Sequence, residues 1–387
     1  MKKNSKLLGF IQKYTMIIAL VLVVVIFSIT TDGKLLFAQN INNLISQNAY
    51  VFVLATGMLL CILTGGNIDL SVGSVLCFCG AVGGTLLSKN TPIILAVLAM
   101  LGIGLAIGAW QAFWIAYVRV PPFITTLSGM LVFRGLANVV LDAKSVRVSN
   151  EVYLKIFGGG AECFILKGEA AKTLCLVVGV AAIVVFVGAT LLSRINRAKK
   201  GYTVEKFVPY IIKTVAIAAV IGFFTLKLSQ FKGLPTVLIW IGLVVGVYSY
   251  ITSKTTIGRH FYAVGGNEKA AKLSGINTNR VYFLAYTSMG MLAALSAMLV
   301  VARMASATPQ AGESYEMDAI GSCFIGGASA YGGIGTVPGV IIGALLMGVI
   351  NMGMSIMGVD MNYQKVVKGL VLLVAVIFDV ATKKKNS

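Results

Sequence analysis

The residues with the most chemical potential in this chain sit in apolar surroundings. Asp69 lies in TGGNIDLSVGSV (64–75) and Asp318 in MDAIGSC (317–323). An ionisable side chain at membrane depth is costly and by default marks a functional site or pathway. Gly65 and Gly66 can break the preceding helix, and Asn67 and Asp69 can cap a helix restarting at Leu70. Broken helices are tolerated where they line a cavity or are buried in protein. Asp69 itself is read mainly as a structural cap, and the pathway role goes to the break around it. The candidate translocation residues are Gly65, Gly66, Asn67, Asp69, Ser71, Asp318 and Asn351. Arg134 and Asn138 join Asn351 as residues expected to face a cavity. Lys213, Arg303, Asn362, Gln364, Lys365 and Lys368 include several near span ends, where long side chains snorkel, and are set aside.

A second constellation occupies the loop KTTIGRHFYAVGGNEKAAKLSGINTNR (254–280). Asn267 can cap a short helix and Glu268 suits its first turn. Ala270 and Ala271 favour helix, Lys272 suits the last turn, and Gly275 can close it. Lys254, Arg259, Lys269, Lys272 and Arg280 argue that the loop faces the cytoplasm. A capped helix held in water invites a soluble partner. The competing reading is an ordinary surface connector. The expected docking residues are Gly265, Gly266, Asn267, Glu268, Ala270, Ala271, Ser274 and Gly275.

Catalysis finds little support. The only histidine, His260, sits beside Arg259 in the same loop, and no carboxylate pair, zinc spacing or nucleophile motif stands out. Gly332, Gly333 and Gly335 resemble a phosphate loop by composition alone, because no GxxxxGK[ST] occurs in the chain. Cys77 and Cys79 fall on different faces of a helix. With Cys61, Cys163, Cys175 and Cys323 they are read as buried thiols. The glycines, alanines and serines of 318–346 are read chiefly as helix-packing residues.

The elements that must position these residues are membrane spans. The chain is 58% hydrophobic and only 12% charged, against about 25% charged in ordinary soluble proteins. Its net charge of +19 comes from few acids rather than from a basic tract. It suits lipid and cytosolic anchoring, not nucleic acid. The continuous apolar runs exclude a β-barrel. The fold class is therefore all-α, a polytopic helical membrane protein. Candidate spans are 14–30, 47–64, 69–88, 92–118, 122–141, 172–193, 207–228, 235–253, 280–303, 317–331, 336–357 and 363–381. The glycine-rich pair 69–88 and 317–331 can be re-entrant or broken, so ten to twelve crossings are expected. The Lys/Arg bias then puts the N-terminus, 194–206, 254–280 and the KKK tail (383–385) in the cytoplasm. Lys2, Lys3 and Lys6 precede an uncleaved first helix rather than a signal peptide. The outside loop Asp142–Lys172 carries Gly158, Gly159 and Gly160 at its centre.

Four blocks resemble the permease subunits of bacterial ABC importers for monosaccharides, in the ribose, galactose and xylose branch. They are GGNIDLSVGSV (65–75), VPPFITTLSGMLVFRG (120–135), GRHFYAVGGNEKAAKLSGIN (258–277) and MDAIGSCFIGGASAYGGIGTVPGVIIGALLMGVINMGMS (317–355). Asn67 stands where that family usually has glycine or a similar residue before the Ile-Asp-Leu. The third block resembles the family's coupling helix. An inserted basic loop plus an extra span, at about 195–237, is similar to the longer xylose or multiple-sugar type.

The resemblance implies a single permease domain over 1–387 with a coupling loop at 254–280. It implies no catalytic residues and no metal or cofactor bound by this chain, with ATP and Mg held by a partner ABC ATPase in the cytoplasm. It further implies an extracytoplasmic sugar-binding protein, a second permease copy, and residence in the lipid of the bacterial cytoplasmic membrane. The rival expectation is a secondary transporter driven by an ion gradient, which the broken helices also suit.

Overall fold

The computed structural model describes residues 2–158, 165–166, 168–204 and 207–384, with side chains from Met16 onward apart from residues 378 and 381–384. Gly159, Gly160, Cys163 and Lys385, and the side chains of Lys2, Lys3 and Lys6, lie outside the described residues. The chain forms two compact units. The larger comprises Met1–Leu35, Leu44–Cys163 and Val237–Ser387, and the smaller Leu36–Asn43 and Phe164–Thr236.

The larger unit is built around α3 (Ala49–Leu63) and α13 (Thr278–Met304). Every residue of α3 is buried. Around these two pack α4 (Val72–Ser88), α5 (Ile93–Phe113), α14 (Tyr315–Ile325) and α15 (Val337–Ile356). α6 (Pro122–Leu141) covers α4, and α1 (Lys2–Thr30) covers α15. Small residues let these helices approach closely, as lipid-embedded packing requires. A Cβ on Gly104 of α5 would strike the Gly290 carbonyl of α13, and one on Gly290 would strike that of Gly104. α7 (Glu151–Phe157) is tied to the core by Tyr153, whose buried hydroxyl donates to the Met298 carbonyl.

Among the described residues, seven helices are long and apolar enough to cross a membrane. The count rises to eight if α2 (Ala38–Gln47) and α3, bent where they meet, form one span. Met16–Thr30 and Val72–Ser88 are shorter apolar helices. The segment expected at 317–331 is helical only over Tyr315–Ile325, too short to cross, because Gly326 and Gly327 end it. The helix expected to restart at Leu70 begins at Val72. Periodicity also missed α2, whose polar AQNINNLISQ lacks an apolar run.

The smaller unit holds the antiparallel pair α8 (Gly168–Lys199) and α9 (Phe207–Ser229). Gly179 of α8 abuts Thr225 of α9, so the pair packs at a small residue. The most apolar windows of α8 and α9 are 11% and 0% buried, against 78% in α13. These two helices thus present apolar surface nearly all round, as lipid-facing spans do.

Candidate functional site: the 254–280 hairpin and the helix break

The loop 254–280 holds two helices, not one. α10 (Val237–Lys254) leads into α11 (Thr256–Gly266), then α12 (Glu268–Leu273). α11 is capped by the Thr255 hydroxyl, which accepts from the Gly258 N–H at 3.1 Å. Its glycines masked it in the sequence, although Gly258, Phe261 and Val264 recur on one face and are buried. α12 matches the expected capping. Asn267 Oδ1 accepts from the Ala270 N–H at 3.0 Å. Gly275 adopts φ +84°, its N–H bonds the Lys272 carbonyl at 3.0 Å, and Ile276 bonds that of Ala271 at 3.1 Å. That double closure is a Schellman motif.

The two faces of α12 differ. Ala271 is 6% exposed and turned into the protein. Lys269, Ala270, Lys272, Ser274 and Gly275 are exposed, and Leu273 is 90% exposed. The expectation that Ala271 seats a partner is therefore corrected: that methyl fills the permease side, and Leu273, which capping arguments overlooked, leads outward.

Glu268 fastens the hairpin. Its Oε1 pairs with Arg119 Nη1 at 2.8 Å, and its Oε2 accepts from the Tyr282 hydroxyl at 3.0 Å. Arg119 Nη2 also donates to Asn279 Oδ1 at 2.5 Å and Thr278 Oγ1 at 3.2 Å. The turn carrying Arg119 follows α5 in a left-handed conformation, φ +66°. Partial burial pushes the Glu268 carboxyl upward, but hydrogen bonds from Arg119 and Tyr282 and the Arg119 charge outweigh it and hold the pKa below 4.5.

The C-terminal end of α11 abuts the helix break. A Cβ on Gly265 would strike the Leu63 carbonyl at the end of α3. Gly65 and Gly66 adopt φ +122° and +77°, the expected interruption. A Cβ on Gly66 would strike the Ala330 carbonyl, and one on Gly332 would strike the Gly65 backbone. Gly333 N–H donates to the Leu63 carbonyl at 3.1 Å, and Tyr262 of α11 donates to the Gly335 carbonyl at 2.9 Å. Ala330 N–H in turn donates to Asp379 on α16 (Met361–Lys384) at 3.0 Å. Three glycine pairs, 65–66, 265–266 and 332–333, thus meet backbone to backbone at the root of the hairpin.

The polar candidates at membrane depth fall into separate groups. Asp69 Oδ1 accepts from the Ser71 N–H at 2.8 Å and the Ser71 hydroxyl at 2.6 Å. Gln111 of α5 donates to Ser71 Oγ at 2.8 Å, and all three residues are buried. Asp69 therefore closes a local turn, consistent with its structural reading. Gln111 escaped notice as a lone polar residue in an apolar run. Asn67 does not cap α4; it donates back to the Thr64 carbonyl at 3.2 Å.

Asp318 is 0% exposed. It accepts from Tyr50 at 2.6 Å and pairs with Lys368 of α16 at 2.9 Å. Setting Lys368 aside as a snorkelling residue is thereby corrected: the ammonium turns inward to a buried carboxylate. Asn351 Nδ2 reaches Asn48 Oδ1 at 3.4 Å. Arg134 donates to the carbonyls of Pro309 and Ala311 at 3.0 and 2.7 Å, anchoring a loop instead of facing a cavity. Cys77 and Cys79 are both buried, as expected of packing thiols.

The sequence matches a known family. The family described as "Branched-chain amino acid transport system / permease component" matches residues 40–376. The xylose transport system permease protein XylH of Escherichia coli is 33% identical over 377 residues, 97% of this chain and 93% of that protein. XylH of Haemophilus influenzae is 34% identical over 379 residues, 97% of this chain and 98% of its own. The ribose import permease protein RbsC of Escherichia coli is 32% identical over 371 residues, 96% of this chain and 94% of its own. No solved structure matches. With its many apolar helices, the chain is a multi-pass membrane protein and belongs to this family of transport-system permease components.

Proposed function

We propose that this chain is the permease subunit of an ATP-driven, binding-protein-dependent importer of monosaccharides, xylose or a related sugar. Its relatives XylH, of a xylose transport system, and RbsC, a ribose import permease, support the substrate class. The single observation that carries the mechanism is the hairpin α11–α12. It is anchored on one side through Glu268 and Ala271 and offers Leu273 on the other. Asn267, Ala270, Ser274 and Gly275 shape the exposed face. Gly265 and Gly266 join it to the break at Gly65 and Gly66. A cytoplasmic ABC ATPase holding ATP and Mg docks on α12, and its closure shifts the hairpin. Because the hairpin abuts the break backbone to backbone, that shift reaches the membrane-embedded turns without slack. A second permease copy completes the path, with Asn67, Asp69, Ser71, Asp318 and Asn351 supporting its walls. An extracytoplasmic sugar-binding protein supplies affinity. The N-terminus, 194–206, 254–280 and the C-terminus face the cytoplasm, in keeping with the Lys/Arg bias.

Leu273→Asp tests the docking face without touching the core. The expected result is an intact permease that co-purifies with much less ATPase and takes up less sugar. Full retention of both would return the hairpin to a surface connector.

A further inference from the structure

The loop end of the α8–α9 hairpin carries a feature that transport does not explain. A cleft of about 330 Å³ opens between the two helices, lined by Thr190, Ser193, Arg194, Arg197, Thr203 and Tyr210 among others. The Arg194 guanidinium lies 4.8 Å from the ring of Tyr210 and 5.8 Å from that of Phe207. Such stacking holds the planar group in one orientation. Arg197 is exposed, three residues further along the same helix. Lys199 and Lys200 follow, so this end is strongly basic.

The surroundings narrow the ligand. Leu191, Leu192, Val184 and Val185 of α8 are exposed on the run leading to the cleft, as are Val208, Ile211 and Ile212 of α9. A ligand held here has a cationic, hydroxyl-bearing site for its head and apolar helix flanks below it. A phosphate bound by two arginines with acyl chains along the helices fits both halves. Basic pockets at the cytoplasmic end of spanning helices suit anionic lipid head groups, and arginine pairs with phosphate oxygens through its fork of donors. We infer that this cleft binds the phosphate head group of an anionic phospholipid, seating the α8–α9 hairpin in the membrane.

The test uses the full-length protein, purified in detergent and stripped of lipid. Binding of phosphatidylglycerol and phosphatidylcholine is read by native mass spectrometry, beside inorganic phosphate. Phosphatidylglycerol should bind in preference to phosphatidylcholine. Arg194→Gln with Arg197→Gln should weaken it roughly thirtyfold, about 2 kcal/mol from the two basic residues. Thr203→Trp fills the cleft without changing charge and should weaken it too. Lys227→Gln with Lys232→Gln, at the other end of the hairpin, should leave it unchanged. Equal binding of the two lipids, or no loss in either cleft variant, would overturn the assignment. Equal loss in the Lys227/Lys232 variant would do so as well, by showing a general charge effect. Displacement of the lipid by millimolar inorganic phosphate would replace the lipid by a free anion.

Discussion

Arg119 and Glu268 are 149 residues apart in the chain, yet their side chains meet at 2.8 Å. The contact ties the turn between α5 and α6 to the first residue of α12. It sets where α12 sits against the membrane-embedded body.

The pair's side chains are 44% and 36% exposed, so solvent screens it. Its loss should cost about 1 kcal/mol of stability or less. Function should fall further, because α12 loses its register. Arg119→Ala and Glu268→Gln should each leave the thermal midpoint nearly unchanged and reduce sugar uptake coupled to ATP hydrolysis. The Glu268 carboxyl is held below its ordinary 4.5, so its stabilisation is present above that value and lost as pH falls through the lowered one. The stability gap between wild type and Glu268→Gln should thus close in acid. A gap that widens with acid would contradict this anchoring.

The glycine junction gives a matched pair. Gly265→Ala places a methyl against the Leu63 carbonyl, whereas a Cβ on Gly266 meets nothing within 4 Å. Gly265→Ala should therefore impair transport and lower thermal stability, while Gly266→Ala stays close to wild type. Gly66→Ala combines a clash with a positive φ of +77° and should cost more than about 1 kcal/mol. Thermal unfolding in detergent, alongside uptake, checks all three.

Asp318 and Lys368 form a largely buried pair between α14 and α16. Lys368→Met leaves the carboxylate uncompensated and should destabilise the fold by about 3–5 kcal/mol. Asp318→Asn combined with Lys368→Met should recover much of that loss. Tyr50→Phe removes one hydrogen bond to the carboxylate and should cost about 1.5–3 kcal/mol. No recovery in the double variant would mean that the pair does more than balance charge.

What was legible in the sequence was local. Asn267 and Gly275 act through bonds within a few residues, and Gly65 and Gly66 through their own backbone conformation, so capping rules and glycine chemistry found them. The partners of Glu268, Asp318 and Ser71 come from distant segments. Arg119 in a turn, Lys368 near a helix end and Gln111 in an apolar run are ordinary until packing brings their partners near. The side that Ala271 faces is likewise a packing outcome, because α12 is only six residues long and carries too little pattern to orient itself. α11 was hidden for another reason: its glycines read as loop, although they serve close approach to α10 and α3.

Proteoliposomes containing the purified permease test the central claim most directly. Uptake of labelled xylose would be followed with and without the ATPase, ATP and the sugar-binding protein, and with the ion gradient collapsed. The account predicts uptake that needs all three additions and survives collapse of the gradient. Uptake by the permease alone, abolished when the gradient is collapsed, would contradict it.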